Sequence, residues 1–214
     1  MSSQGRYSPN RIRRLISSFS PIRFRDEAGQ VEYLGQPVVM LRRDAIRLIR
    51  DELVRLGGAG GRVILDTAGY VSGREEGNAL LAHAKAHGVR SPESLPAAIL
   101  TAVEETNMGY GKITIDDINF GTWTFKISVA NSFEVDSTRR SGSPTCVFIL
   151  SYLKGLFSQL VHKDLGGKEV ECRSKGDQSC KFWLAVAPQS DSVKGQALDR
   201  ENLHSRQSRS IHAD

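Results

Sequence analysis

Three cysteines, Cys146, Cys172 and Cys180, together with Glu169, are the side chains of this sequence best suited to chemistry. Cys172 and Cys180 flank the turn material Lys175-Gly176-Asp177, so a hairpin would carry both thiols toward its base. Cys146 opens an apolar run after Pro144 that reads as a helix start, and from there it can lie over the hairpin. Glu169 precedes Cys172 by three residues on the first arm. Three thiolates and one carboxylate suit Zn²⁺, a d¹⁰ ion that accepts S and O ligands in a tetrahedron. Glu171 is the rival carboxylate, read as projecting to the same side. No close C-x₂-C pair is present, so spacing alone leaves the set open between a metal site and three ordinary buried cysteines.

Other motifs carry less. Gly69, Gly73 and Gly77 recur every four residues and lay bare one helix face, suited to close packing of a second helix or to a flat ligand, with helix packing the favoured reading. The run Gly57 to Gly61 lacks the Lys-Ser/Thr of a phosphate-binding loop and reads as a helix–helix turn. Gly109-Tyr110-Gly111 is not followed by a helix start, so it is no dinucleotide fingerprint. His83 and His87 read as a surface pair, and no Ser-His-Asp or Cys-His arrangement can be argued. Trp123, Phe125, Phe133, Tyr152 and Phe157 are the candidate walls of an apolar ligand pocket, and they are equally compatible with a plain core.

The elements that must hold these residues follow from periodicity. A short hairpin is expected from Ile22–Phe24 and Val31–Tyr33. Leu41, Ala45, Leu48, Ile49, Leu53 and Leu56 have helical spacing, stopped by Gly57-Gly58, and a second helix starts near Val63. A third is expected after Ser91-Pro92, with Leu95, Ile99, Leu100 and Val103 inward. The period then becomes two: Ile113 and Ile115, the turn Asn119-Phe120-Gly121, and the strand Trp123, Phe125, Ile127, Val129. A fourth helix runs from Pro144 through Val161. Strands over Lys168–Arg173 and Ser179–Val186 close the chain. This order predicts an α+β fold, an antiparallel sheet with helices packed on it.

With 214 residues, 39% hydrophobic and 25% charged, the composition is that of a globular protein, which excludes a collagen, a coiled-coil rod and a wholly disordered chain. No apolar run is long enough to span a bilayer. Few cysteines and no signal-peptide pattern make a reducing, cytoplasmic setting the expectation. The net charge of +5 is concentrated at the start, where residues 1–25 hold six arginines and no acid. The middle of the chain is close to neutral, so no nucleic-acid-binding face is expected. The expected organisation is a flexible basic arm at 1–20, a ligand-binding domain at 21–187 and a disordered polar tail at 188–214.

Several runs resemble known sequences. Gly35-Gln36-Pro37-Val38-Val39-Met40-Leu41, Leu65-Asp66-Thr67-Ala68-Gly69-Tyr70-Val71-Ser72-Gly73 and Asn131-Ser132-Phe133-Glu134-Val135 resemble the N-terminal effector domains of the phenol- and xylene-sensing transcriptional activators. Cys146 with Tyr152-Leu153-Lys154-Gly155, then Glu169-Val170-Glu171-Cys172 and Gly176-Asp177-Gln178-Ser179-Cys180-Lys181-Phe182, resemble the 4-vinyl-reductase domain that those sensors contain. The resemblance spans about residues 20–186. It implies a homodimer with a buried pocket, and a structural Zn²⁺ on Cys146, Glu169, Cys172 and Cys180 that staples the C-terminal hairpin. It implies a stand-alone binding module for a hydrophobic, aromatic small molecule, acting through a partner protein. No ATPase or DNA-binding helix-turn-helix is expected after residue 187. With no histidine between His87 and His162, the expected ligand is flat, apolar and larger than phenol. The alternatives the same resemblance carries are an enzyme or accessory of (bacterio)chlorophyll vinyl reduction, and an assembly scaffold similar to vesicle-tethering subunits.

Overall fold

A computed structural model describes residues 22–86, 100, 103–104, 109–136 and 140–187 of the chain. The arm expected at 1–20, the tail expected at 188–214, His87 and most of the expected third helix lie outside these residues. Leu100 and Val103 of that helix are described, and both are buried.

β1 (Ile22–Arg25), β2 (Gln30–Tyr33) and β3 (Gln36–Val38) form an antiparallel meander. The first pair is the expected hairpin; the third strand was not anticipated, because Pro37 reads as a breaker and is tolerated here at a sheet edge. α1 (Arg43–Ala86) is broken at Gly58, whose φ of 51° and ψ of −121° no helix contains. The chain doubles back there. The carbonyl of Leu53 lies so close to Gly61 that a Cβ on Gly61 would sit 1.9 Å from its oxygen. The glycine run is therefore the turn of a helical hairpin, with arms at 43–57 and 59–86.

β4 (Lys112–Asn119), β5 (Thr124–Ala130), β6 (Leu165–Glu171) and β7 (Cys180–Val186) make a second antiparallel sheet in the order β4-β5-β7-β6. Trp123 lies in the β4–β5 turn at φ 52°, outside the strand expected for it. Asn119 shapes that turn, its Oδ1 accepting the N–H groups of Gly121 and Thr122 at 2.9 and 3.0 Å. Phe125, Ile127 and Val129 of β5 pair with Leu184, Phe182 and Cys180 of β7, so the period-two pattern of both strands builds one dry face.

α2 (Val147–Val161) lies across that face. It is buried on almost every side, as the absence of charge from 147–153 foretells. Its other flank meets α1 backbone to backbone. A Cβ on Gly69 would stand 2.4 Å from the Phe148 carbonyl oxygen, one on Gly73 2.0 Å from that of Tyr152, and one on Gly155 2.2 Å from that of Tyr70. The glycine repeat thus serves helix packing. The second arm of α1, α2 and the four-stranded sheet are stacked in that order.

The apolar stripe of the first α1 arm is not inward as expected. Leu48 and Leu56 are 63% and 74% exposed in the single chain. What ties this arm down is polar: Arg43 donates to the carbonyls of Asn131 and Ser132 at 3.0 and 3.2 Å, and Arg50 to that of Glu134.

Gly73→Ala should destabilise the protein by about 1–3 kcal/mol, because neither helix can recede without emptying the core behind it. Gly60→Ala, where a Cβ meets nothing within 4 Å, should be neutral or slightly stabilising. Paired urea melts measure the difference.

Candidate metal cluster and aromatic cavity

The sheet and α2 bring the four chemistry-bearing residues together. One ligand atom from each of Cys146, Glu169, Cys172 and Cys180 lies within 4.8 Å of the others. Cys146 is the residue before α2, Cys180 begins β7, Glu169 is in β6, and Cys172 follows β6. All three thiols are buried and unbridged. The Cys146 and Cys180 sulfurs are 3.6 Å apart. Two thiolates on one tetrahedral Zn²⁺ stand about 3.8 Å apart, given bonds of about 2.3 Å.

A β-bulge decides which carboxylate enters. The β6–β7 register slips between Glu169 and Glu171, so Glu169 pairs with buried Phe182 while Glu171 pairs with Lys181 and salt-bridges its Nζ at 3.0 Å. The expectation that both glutamates project to the same side is thereby corrected. Glu169 Oε2 accepts the Cys146 N–H at 3.1 Å, whereas Oε1 is buried with no hydrogen-bond partner among the described residues. A buried, unpartnered carboxylate oxygen beside three thiols is the donor set of a cation site.

The electrostatics agree. The hydrogen bonds of Cys172 and then Cys180, with burial, push the Cys146 thiol far up; donation from Cys146 and Cys180 holds Cys172 far down. Cys180 is pulled down by the Cys146 bond, but its bond with Cys172 and burial outweigh this and leave it at about 12. Burial first, then the Cys172 sulfur, lifts Glu169 to about 8. Without a cation, the cluster concentrates its negative charge on one sulfur. With one, all three thiols can ionise.

Around the cluster, the Cys172 N–H donates to Asp177 Oδ2 at 2.7 Å, and Thr145 Oγ1 lies 3.8 Å from the Cys172 sulfur. Glu134 was not singled out from the sequence. Its carboxylate accepts the N–H groups of Phe148 and Ile149 at 3.1 and 2.8 Å, capping α2 from a loop. Burial lifts it to about 7 against those two bonds. The signal was a lone acid between Phe133 and Val135.

The five aromatic candidates fall into two groups. Phe125 packs on Phe157 with centroids 4.7 Å apart and stacks against Trp123 at 6.5 Å. Phe133 and Tyr152 instead meet Tyr110, with centroids 5.8 and 4.9 Å from its ring, and Phe148 completes this group. Phe133, Tyr110 and Phe148 also line a groove of about 800 Å³ between the β1–β3 meander and both arms of α1. That volume is in the range of small-molecule sites, about 300–1,000 Å³. Trp123, Phe125, Tyr152 and Phe157 are not part of its lining.

Fold and site together define a domain of the vinyl-4-reductase type joined to an aromatic-activator N-terminal segment. Residues 125–185 match the vinyl-4-reductase domain, and residues 19–99 match the family described as activator of aromatic catabolism. The resemblance read from the sequence is borne out. Among solved structures, the chain is similar to the phenol-responsive sensory domain of the transcription activator PoxR, crystallised with phenol: 24% identity, 84% of this chain and 92% of that one, TM-score 0.69. It also matches a trafficking protein particle complex subunit 3 from Naegleria fowleri covalently bound to palmitic acid (9% identity, 68% and 95% covered, TM-score 0.44). A third match is a vinyl-4-reductase family protein from Methanocaldococcus jannaschii (18%, 71% and 99%, TM-score 0.36). No curated protein matches. No helix among the described residues is long and apolar enough to cross a membrane.

Glu134→Ala leaves two buried N–H groups unpaired and should cost about 1–3 kcal/mol. Glu134→Gln, which keeps one acceptor, should cost less. Thermal denaturation of the two variants orders them.

Proposed function

We propose that this chain is a ligand-sensing module that takes up a flat, apolar aromatic molecule and acts through a partner protein. The observation that carries this reading is the likeness to the PoxR sensory domain along nearly its whole length, from β1 to β7. The interior supports it: aromatic rings stand on both flanks of α2, with Trp123, Phe125 and Phe157 in one group and Phe133 and Tyr152 in the other. These five residues are the proposed contacts.

The metal in this reading is a structural Zn²⁺ on Cys146, Glu169, Cys172 and Cys180. Bound there, the ion supplies charge compensation for the thiolates. The residues themselves fasten the start of α2 to the hairpin of β6 and β7, which alone is too small to be stable. All four positions are filled by protein, so the role is not catalytic. Three reduced cysteines fit a cytoplasmic setting.

The working unit in this reading is a homodimer. The exposed apolar side chains of the first α1 arm and of the segment before it, Leu48, Leu56, Val39 and Met40, are what a second copy would cover.

Native mass spectrometry should give a dimer with one Zn²⁺ per chain. Cys172→Ser should lower both zinc content and melting temperature, and a strong chelator should expose the thiols. Wild-type protein without zinc, its three thiols titrating freely in the native state, would remove the metal from the reading. For the ligand, Trp183→Phe leaves Trp123 as the remaining tryptophan. Its fluorescence should respond to naphthalene-sized aromatics at lower concentrations than to phenol. Tight binding of phenol, with no response to the larger rings, would contradict the proposal.

A further inference from the structure

The groove between the meander and α1 has one polar feature that helix packing and the metal cluster do not use. Tyr33, nearly fully buried on β2, lines the groove and donates its hydroxyl to Glu76 Oε1 at 3.2 Å. Glu76 sits on the second α1 arm, one residue before Gly77, where that arm presses on α2. Its carboxylate also accepts from the Tyr152 hydroxyl and lies near enough to Tyr110 to act on it electrostatically. Three tyrosines from three parts of the chain thus converge on one carboxylate.

The surroundings of this relay are aromatic. Tyr110, Phe133 and Phe148 form a mutually packed wall, with centroids 5.5 to 5.8 Å apart. Leu65 and Ile46 add aliphatic surface from the two α1 arms. Such a wall receives a flat ring by edge or offset contact. Within this apolar lining, the Tyr33 oxygen has already spent its proton on Glu76 and can accept one from a ligand. Charge on the lining narrows the choice further. Arg43 and Arg50 line the same groove, so a ligand ammonium would meet two guanidinium groups.

We infer that this groove is a binding site for a neutral aromatic molecule bearing a hydroxyl, with Tyr33 reading the hydroxyl and Glu76 orienting Tyr33. The inference rests on the proposal that the chain takes up an aromatic ligand, and it adds where the ring lies and which substituent is recognised. Hydroxyl recognition then needs no histidine.

Binding of 2-naphthol, 2-methoxynaphthalene and naphthalene to the full-length, wild-type protein tests it by calorimetry. The naphthol should bind about tenfold tighter than the other two, the order expected of one good hydrogen bond to a partly charged relay. Tyr33→Phe should abolish that difference while leaving naphthalene affinity unchanged. Ala68→Trp, an exposed groove position, should weaken all three probes. Equal affinity of the naphthol and its methyl ether for the wild type overturns the inference without needing any variant to fold. So does naphthol binding that survives Ala68→Trp. If that surviving binding is lost in Phe125→Ala, the sensing proposal stands with its ligand placed at the other aromatic group. Absence of binding by every probe overturns both.

Discussion

The contact between the second arm of α1 and α2 is the constraint on which the other parts depend. At Gly69, Gly73 and Gly155 there is no space for even a methyl group, so the two backbones set their own separation. That separation decides how far α2 is pushed into the sheet, and so where its first turn stands relative to β6 and β7. Cys146 precedes that turn, and Glu134 clamps its N–H groups. The metal cluster therefore inherits its geometry from a helix crossing that extends well beyond it along α2. Ser151 donates to Asp66 across the same interface, and Lys154 approaches Asp66 at 3.7 Å, which adds a polar lock to the register of the two helices.

The sequence was most legible where one residue type had one physical use. The glycine repeat, the alternation of β5 and β7, and the Gly57–Gly58 break each follow from local sterics or period, and each stands where it was expected. The three cysteines and Glu169 converge as expected too, although the residues alone did not separate a metal site from core thiols. The features that escaped depend on tertiary context. The stripe from Leu41 to Leu56 has a good helical period but says nothing of what covers it, and within one chain much of it faces water. Trp123 fits an alternating pattern yet lies in a left-handed turn, because Asn119 draws the backbone after it into a loop that ends only where β5 begins.

Buried acids were the least legible. Glu76 sits in the run Arg74-Glu75-Glu76-Gly77, which looks like a solvated helix face. Only the meander, folded against α1, turns it into the acceptor for Tyr33. Glu134 looks like an interruption in an apolar stretch, and only the arrival of α2 turns it into a cap. In both cases the partner is distant in the chain, and the residue's immediate neighbours argue for the wrong environment.

The bulge in β6 has a consequence for how the cluster could drift over evolutionary time. Glu169 and Glu171 share an alternating strand, and one extra residue in the ladder assigns the first to the interior and the second to Lys181. Moving the slip along the strand would exchange their duties without altering the amino-acid sequence. The carboxylate is thus specified by backbone register rather than by its place in a motif, and the neighbouring glutamate is a spare ligand held in the solvent. A lineage could lose either acid and recover by shifting the bulge, whereas each cysteine has no such understudy.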